Sequence, residues 1–183
     1  MSIALTVGLL TSLCHAQSER PNIFFAIADD WGWPHASAYG DGVVKTPTFD
    51  SIAANGVLFT NAFISSSSCT PSRNAILTGQ YHWRLKEGGN LWSNYPEGFP
   101  TYVQTLKEAG YFVGSYRKAF GPGSDHGKEV AGKKFEGLDT FLKERPKDQP
   151  FCFWFGASDP RVLGGGDAFD QYEYLGRLRR KVE

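Results

Sequence analysis

Apolar and polar positions along this chain fall into alternating blocks, and the blocks predict the architecture. Asn22-Ile23-Phe24-Phe25-Ala26-Ile27-Ala28 is nearly all apolar and stops at Asp29-Asp30, the pattern of a strand buried on both faces. Thr46-Pro47-Thr48-Phe49-Asp50 opens a helix through Ile52 to Asn55, with proline suited to its first turn and Gly56 to its end. Val57 to Ile64 predicts a second strand, which runs through Ser65 to Ser68 into a helix beginning near Cys69. Thr101 to Ala109 is a short amphipathic helix closed by Gly110, and Tyr111 to Tyr116 a third strand. Phe135 to Arg145 predicts a further helix and Phe151 to Phe155 a fourth strand. Strands alternating with helices give an α/β domain with a largely parallel sheet. In such sheets ligand groups gather at the carboxyl ends of strands. Asp29-Asp30, the Cys69 loop, Lys118 and Ser158-Asp159 are therefore expected along one edge.

Two segments stand outside this alternation. Ile3 to Leu13 is apolar but too short to cross a bilayer, and Ala16 offers a small-residue cleavage point, so residues 1–16 are expected to be an export signal. That places the mature protein in a secreted or periplasmic compartment, with no membrane attachment after cleavage. The run lacks the usual preceding Lys or Arg, and bulky Leu13 disfavours a lipoprotein processed at Cys14. At the other end, Gly164-Gly165-Gly166 reads as a linker rather than a phosphate cradle, because neither GxxxxGK nor GxGxxG occurs. Residues 162–183 are left as a tail, and residues 17–161 as the domain.

Composition narrows the function. The 183 residues are 41% hydrophobic and 15% aromatic, which suits a single globular domain. Nineteen basic and nineteen acidic side chains cancel, which argues against nucleic acid or an anionic membrane surface as the main partner. With a cleaved signal only Cys69 and Cys152 remain. Cys152 lies within Phe151-Cys152-Phe153-Trp154-Phe155 and reads as a small core hydrophobe. The absence of any CxxC pair excludes a zinc knuckle or a thioredoxin-type couple.

Cys69 is the centre of the chemistry. It follows four serines and precedes Thr70-Pro71-Ser72-Arg73, where free N–H groups of a first helical turn and an arginine make a socket for an anion. A thiol in that setting is either a nucleophile or the precursor of one. A cysteine phosphatase needs a longer interval than the three residues between Cys69 and Arg73, and none of His15, His35, His82 or His126 sits in a papain-like context. Asp29-Asp30 either flanks a hard divalent cation or is a solvated turn. Lys118, after a strand, either binds an oxyanion or stands in solvent.

The run Ser67 to Gly79 resembles the signature of the type I sulfatases, in which the cysteine of Cys-x-Pro-Ser-Arg is oxidised to formylglycine. Arg20-Pro21-Asn22 with the apolar strand and Asp29-Asp30-x-Gly32 is similar to that family's start. Gly110-Tyr111 to Lys118 resembles its second signature, and Phe153 to Pro160 its later strand and Asp-Pro turn. Lys118-x-x-Gly121-Pro122 is similar to sulfamidase-like members. The resemblance implies an alkaline-phosphatase-like mixed, largely parallel sheet flanked by helices and incomplete at its C-terminal side. It further implies that Asp29, Asp30 and residue 69 bind Ca²⁺ or Mg²⁺, that Arg73 holds the aldehyde hydrate, and that Lys118 stabilises the sulfate oxygens. The implied partners are a sulfated small molecule or carbohydrate and a formylglycine-generating maturation enzyme.

The departures are specific. The family usually has glycine before the lysine and histidine shortly after it, where this chain has Arg117 and Phe120. Arg161 follows the Asp-Pro turn in place of a sulfate-binding histidine. Members are commonly much longer, and their remaining metal ligands and a further lysine have no counterpart here. The expectation is a truncated or frame-shifted sulfatase. A phosphate or phosphonate ester hydrolase of the same superfamily and a non-catalytic, cation-binding fragment are the other two readings.

Overall fold

The computed structural model describes residues 20–158. The export-signal segment, Asp159 and the tail fall outside that range. Four strands form one parallel sheet in the order β1-β4-β2-β3, with β1 at Ile23–Ile27, β2 at Phe112–Arg117, β3 at Lys133–Lys134 and β4 at Phe151–Gly156. Four α-helices accompany them among the described residues: α1 at Pro47–Asn55, α2 at Cys69–Thr78, α3 at Tyr102–Glu108 and α4 at Leu138–Glu144.

Alternation along β4 explains how both faces are covered. Phe151, Phe153 and Phe155 point to the face that carries Leu138 and Phe141 of α4, while Trp154 meets Leu77 of α2 and Cys152 meets Val103 of α3. β4 is thus buried along its whole length, as its unbroken apolar sequence requires. Phe141 is fully buried, with its ring centroid 4.6 Å from Phe153 and 4.9 Å from Phe112. Burial of such a side chain contributes about 2–3 kcal/mol. Gly114 of β2 lies beneath these rings, and a β-carbon there would come within 2.6 Å of Phe135 and 2.7 Å of Phe141.

The ends of the elements follow local chemistry. Thr101 accepts from the Val103 N–H and Gln104 reaches back to the Thr101 N–H, a complete capping box for α3. Gly79 closes α2 in the left-handed region at φ 66°. β3 is a two-residue edge of lysines, a form that resists further strand pairing.

β1, expected to be buried on both faces, lies at an edge of the sheet among the described residues and is only partly buried, and two further expectations need correction. Val57 to Ile64 forms no strand: it has no partner in the sheet, and Val57, Phe59, Phe63 and Ile64 are exposed. Apolar alternation supplies the propensity, but a strand exists only where another strand takes up its backbone groups. The Cys69 helix is consequently entered from a loop. The helix expected over Phe135 to Arg145 begins only at Leu138, because the Phe135 N–H donates to the Ser115 carbonyl at 2.8 Å and extends the β3 pairing instead.

Candidate active site

Three adjacent parallel strands place the site. Ile27 of β1 and Arg117 of β2 both lie opposite Gly156 of β4, so Asp29 and Lys118 leave the sheet on either side of the central strand. Strands about 4.8 Å apart put those two backbones about 10 Å from one another. A lysine is long enough to cross that interval, and it does: the Lys118 ammonium reaches over the end of β4 and donates to Asp29 Oδ2. Gly156 keeps the crossing open, because the Lys118 backbone rests directly on it.

Helix α2 delivers the remaining groups from one sheet face. Cys69 is its first residue and Arg73 lies one turn on, so both side chains turn to the same side. Cys69 Sγ stands 3.2 Å from Lys118 Nζ and 3.8 Å from Asp29 Oδ1. Arg73 is buried and donates from one terminal nitrogen to Asp29 Oδ1 at 3.2 Å and from the other to the Lys118 carbonyl. Asp29, only 3% exposed, is therefore a buried carboxylate held between two cations. Thr70, fully buried, donates its hydroxyl to the Pro122 carbonyl at 2.6 Å and so fixes the loop after Lys118 against the start of α2.

Asp29, Asp30 and Cys69 each present one ligand atom, all within 4.8 Å of one another. This group can hold a metal ion. Asp30 is exposed and has a left-handed backbone at φ 55°. The two carboxylates are hard donors suited to Ca²⁺ or Mg²⁺, whereas a thiol is soft; an oxygen at position 69 makes the three donors uniform.

Among the sequence candidates, Asp29, Asp30, Cys69, Arg73 and Lys118 all come together. Ser158 is exposed, and Asp159 lies outside the described residues. Lys118 proves to be largely buried, with a side chain 14% exposed. Sequence reasoning missed the bond from Arg73 to Asp29, since only the fold brings the two residues together. It also set His82 aside. The His82 backbone N–H donates to Ser65 Oγ at 2.9 Å, and its Nδ1 meets the same oxygen at 2.8 Å, which ties the serine run to the residues after α2. No sequence signal marks that pair.

The profile of the sulfatase family matches residues 21–171. The chain is 41% identical over 112 residues to N-acetylgalactosamine-6-O-sulfatase of Bacteroides thetaiotaomicron, covering 57% of this chain and 22% of that one. It is 34% identical over 124 residues to iduronate 2-sulfatase of Homo sapiens, covering 67% of this chain and again 22% of the relative. The chain thus spans about a fifth of the length of these curated relatives. A solved structure in complex with its substrate D-glucosamine-2-N,6-O-disulfate matches with a TM-score of 0.63 and 26% identity, over 78% of this chain and 35% of that one. The phosphonate monoester hydrolase of Agrobacterium radiobacter, at TM-score 0.51 and 24% identity over 88% of this chain and 29% of its own, shares the alkaline-phosphatase-like fold.

Proposed function

The chain belongs to the sulfatase family, and on that premise we propose that its site serves the hydrolysis of sulfate esters or sulfamates through a formylglycine made from Cys69. The observation that carries this reading is the meeting of Cys69 with Lys118 and Asp29 at the head of α2. A maturation enzyme, drawing on an external oxidant, would oxidise the Cys69 side chain to an aldehyde with release of the sulfur, and the hydrated aldehyde would supply two hydroxyls on one carbon. One hydroxyl of residue 69 would give up its proton and attack the sulfur of the substrate, and the leaving oxygen or nitrogen would take the bond electrons and a proton to depart as alcohol or amine. The second hydroxyl then loses its proton, the carbonyl re-forms, and the carbon–oxygen bond to sulfate breaks. A serine or an unmodified cysteine has no second hydroxyl and stops at the covalent stage.

Asp29, Asp30 and residue 69 would hold a divalent cation, which supplies Lewis-acid activation of an oxygen nucleophile. Arg73 holds the Asp29 carboxylate in place, and its further role would be to hold the aldehyde hydrate. Lys118 presents positive charge to the sulfate oxygens as charge builds on them. Relatives named for N-acetylgalactosamine 6-sulfate and iduronate 2-sulfate support a sulfated carbohydrate as the substrate class. An export signal at residues 1–16 accords with such extracellular material, and sequencing of the mature N-terminus tests it.

Mass spectrometry of the peptide containing residue 69 tests the mechanism. The expected result is loss of sulfur and gain of an aldehyde. An intact thiol in a preparation that turns over sulfate esters would overturn it. Matched sulfate and phosphate esters assayed side by side separate this activity from phosphate or phosphonate hydrolysis.

A further inference from the structure

Lys118 and the proposed cation draw on the same atoms. The ammonium contacts Asp29 Oδ2 and lies 3.2 Å from Cys69 Sγ, two of the three groups that make up the metal-binding set. Arg73 engages Asp29 Oδ1 and Lys118 engages Oδ2, so a cation that takes the Oδ2 side of the carboxylate meets the ammonium there. A unit charge and a divalent charge sharing one small set of donors repel each other strongly in a partly buried site. The two modes of occupancy exclude one another.

We infer that Lys118 is an internal competitor of the divalent cation for Asp29, and that cation loading displaces its ammonium to the position where it can meet a sulfate oxygen. The inference rests on the sulfatase reading of this site. It adds an order to events: the cation binds first, and its binding supplies the anion-binding lysine.

The anchoring of Lys118 fits such a device. Its backbone is held at two points, by its N–H on the Gly156 carbonyl at 3.1 Å and by its own carbonyl on Arg73. The four-carbon arm is tied only at its tip, to Asp29 and Cys69. Displacement therefore needs only side-chain rotation, with no movement of β2 or of the loop to Pro122. Arg73 does not share this freedom, because its guanidinium bridges Asp29 and the Lys118 carbonyl at once.

The test is calorimetric titration of Ca²⁺ into the full chain and its Lys118→Met variant, with Lys118→Gln as a second variant in case the first fails to fold. Removing the competitor is expected to tighten Ca²⁺ binding by about tenfold or more. Arg117→Met removes the same unit of charge one residue away without touching Asp29 or Cys69, and is expected to leave affinity within about twofold. In parallel, Lys118 acylation by an amine-directed reagent, read by peptide mass, is expected to rise when Ca²⁺ is added to the parent. Equal affinity in parent and Lys118 variants, equal tightening by Arg117→Met, or acylation that Ca²⁺ leaves unchanged or lowers would each overturn the inference and leave the sulfatase reading standing. Absence of Ca²⁺ binding in parent and variants alike would overturn both the inference and the cation's place in the proposed mechanism, and the mass of residue 69 would still judge the nucleophile.

Discussion

Gly156 and Lys118 are packed backbone to backbone: a β-carbon placed on Gly156 would lie 2.0 Å from the Lys118 carbonyl oxygen. The contact is what lets the ends of β4 and β2 close around the site. Gly156→Ala is expected to cost about 3 kcal/mol, because the clash is with backbone and not with a flexible side chain. Chemical unfolding monitored by circular dichroism checks it. A loss below about 0.5 kcal/mol would show that the two strand ends separate easily.

Arg117 offers the opposite change. It has a left-handed backbone at φ 57°, a conformation that costs a side-chain-bearing residue about 1 kcal/mol. Its guanidinium stands 5.3 Å over the Tyr116 ring, and its Nε bonds the Tyr116 hydroxyl at 3.1 Å, which offsets part of that cost. Arg117→Gly is expected to be neutral or stabilising by up to about 1 kcal/mol, and Arg117→Val to destabilise by about 1–2 kcal/mol. Thermal melts of the two variants decide it, and glycine proving worse than valine would contradict the backbone argument. The glycine usual before the lysine in the family's second signature thus has a conformational reason.

Arg73→Met leaves a buried carboxylate with one partner fewer. Asp29 keeps Lys118, so the expected loss is about 3 kcal/mol rather than complete unfolding. The double variant Arg73→Met with Asp29→Asn should recover part of that loss, since the stranded charge is gone. Urea midpoints for the two single variants and the pair provide the cycle, and simple additivity would deny the coupling.

Burial pushes the Cys152 thiol up to about 11, and burial together with neighbouring Cys152 raises the Tyr102 hydroxyl as well. Both groups are neutral in the folded state and ionise sooner when unfolded. The Cys152 contribution to stability is full below the unfolded thiol value near 9 and is lost as pH climbs through the folded value near 11, while that of Tyr102 begins to fall only above its ordinary value near 10. Urea midpoints should fall between pH 9 and pH 11, and Cys152→Ala should flatten that fall while lowering stability overall. An unchanged slope in the variant would remove Cys152 as its source.

How much of this was legible in the residues varies from element to element. β1, β4, α2 and the capping box of α3 rest on local signals: uninterrupted apolar runs, a proline in a first turn, Thr101 paired with Gln104. Cys69, Arg73, Asp29, Asp30 and Lys118 were recognisable as candidates because unusual residue types stood at strand ends and at a helix start. Val57 to Ile64 misled for the same local reason, since alternation records propensity and not the presence of a pairing strand.

By itself the sequence determined which segments are strands or helices wherever burial and capping are written into neighbouring residues, and which residue types carry the chemistry. Only the tertiary structure decided that β4 lies between β1 and β2, and therefore that Lys118 must cross Gly156 to reach Asp29. Strand order is a choice among pairings far apart in the chain, made by packing Phe151, Phe153 and Phe155 on one face and Cys152 and Trp154 on the other. No window of local sequence contains that competition, so the ion pair that follows from it is visible only in the folded chain.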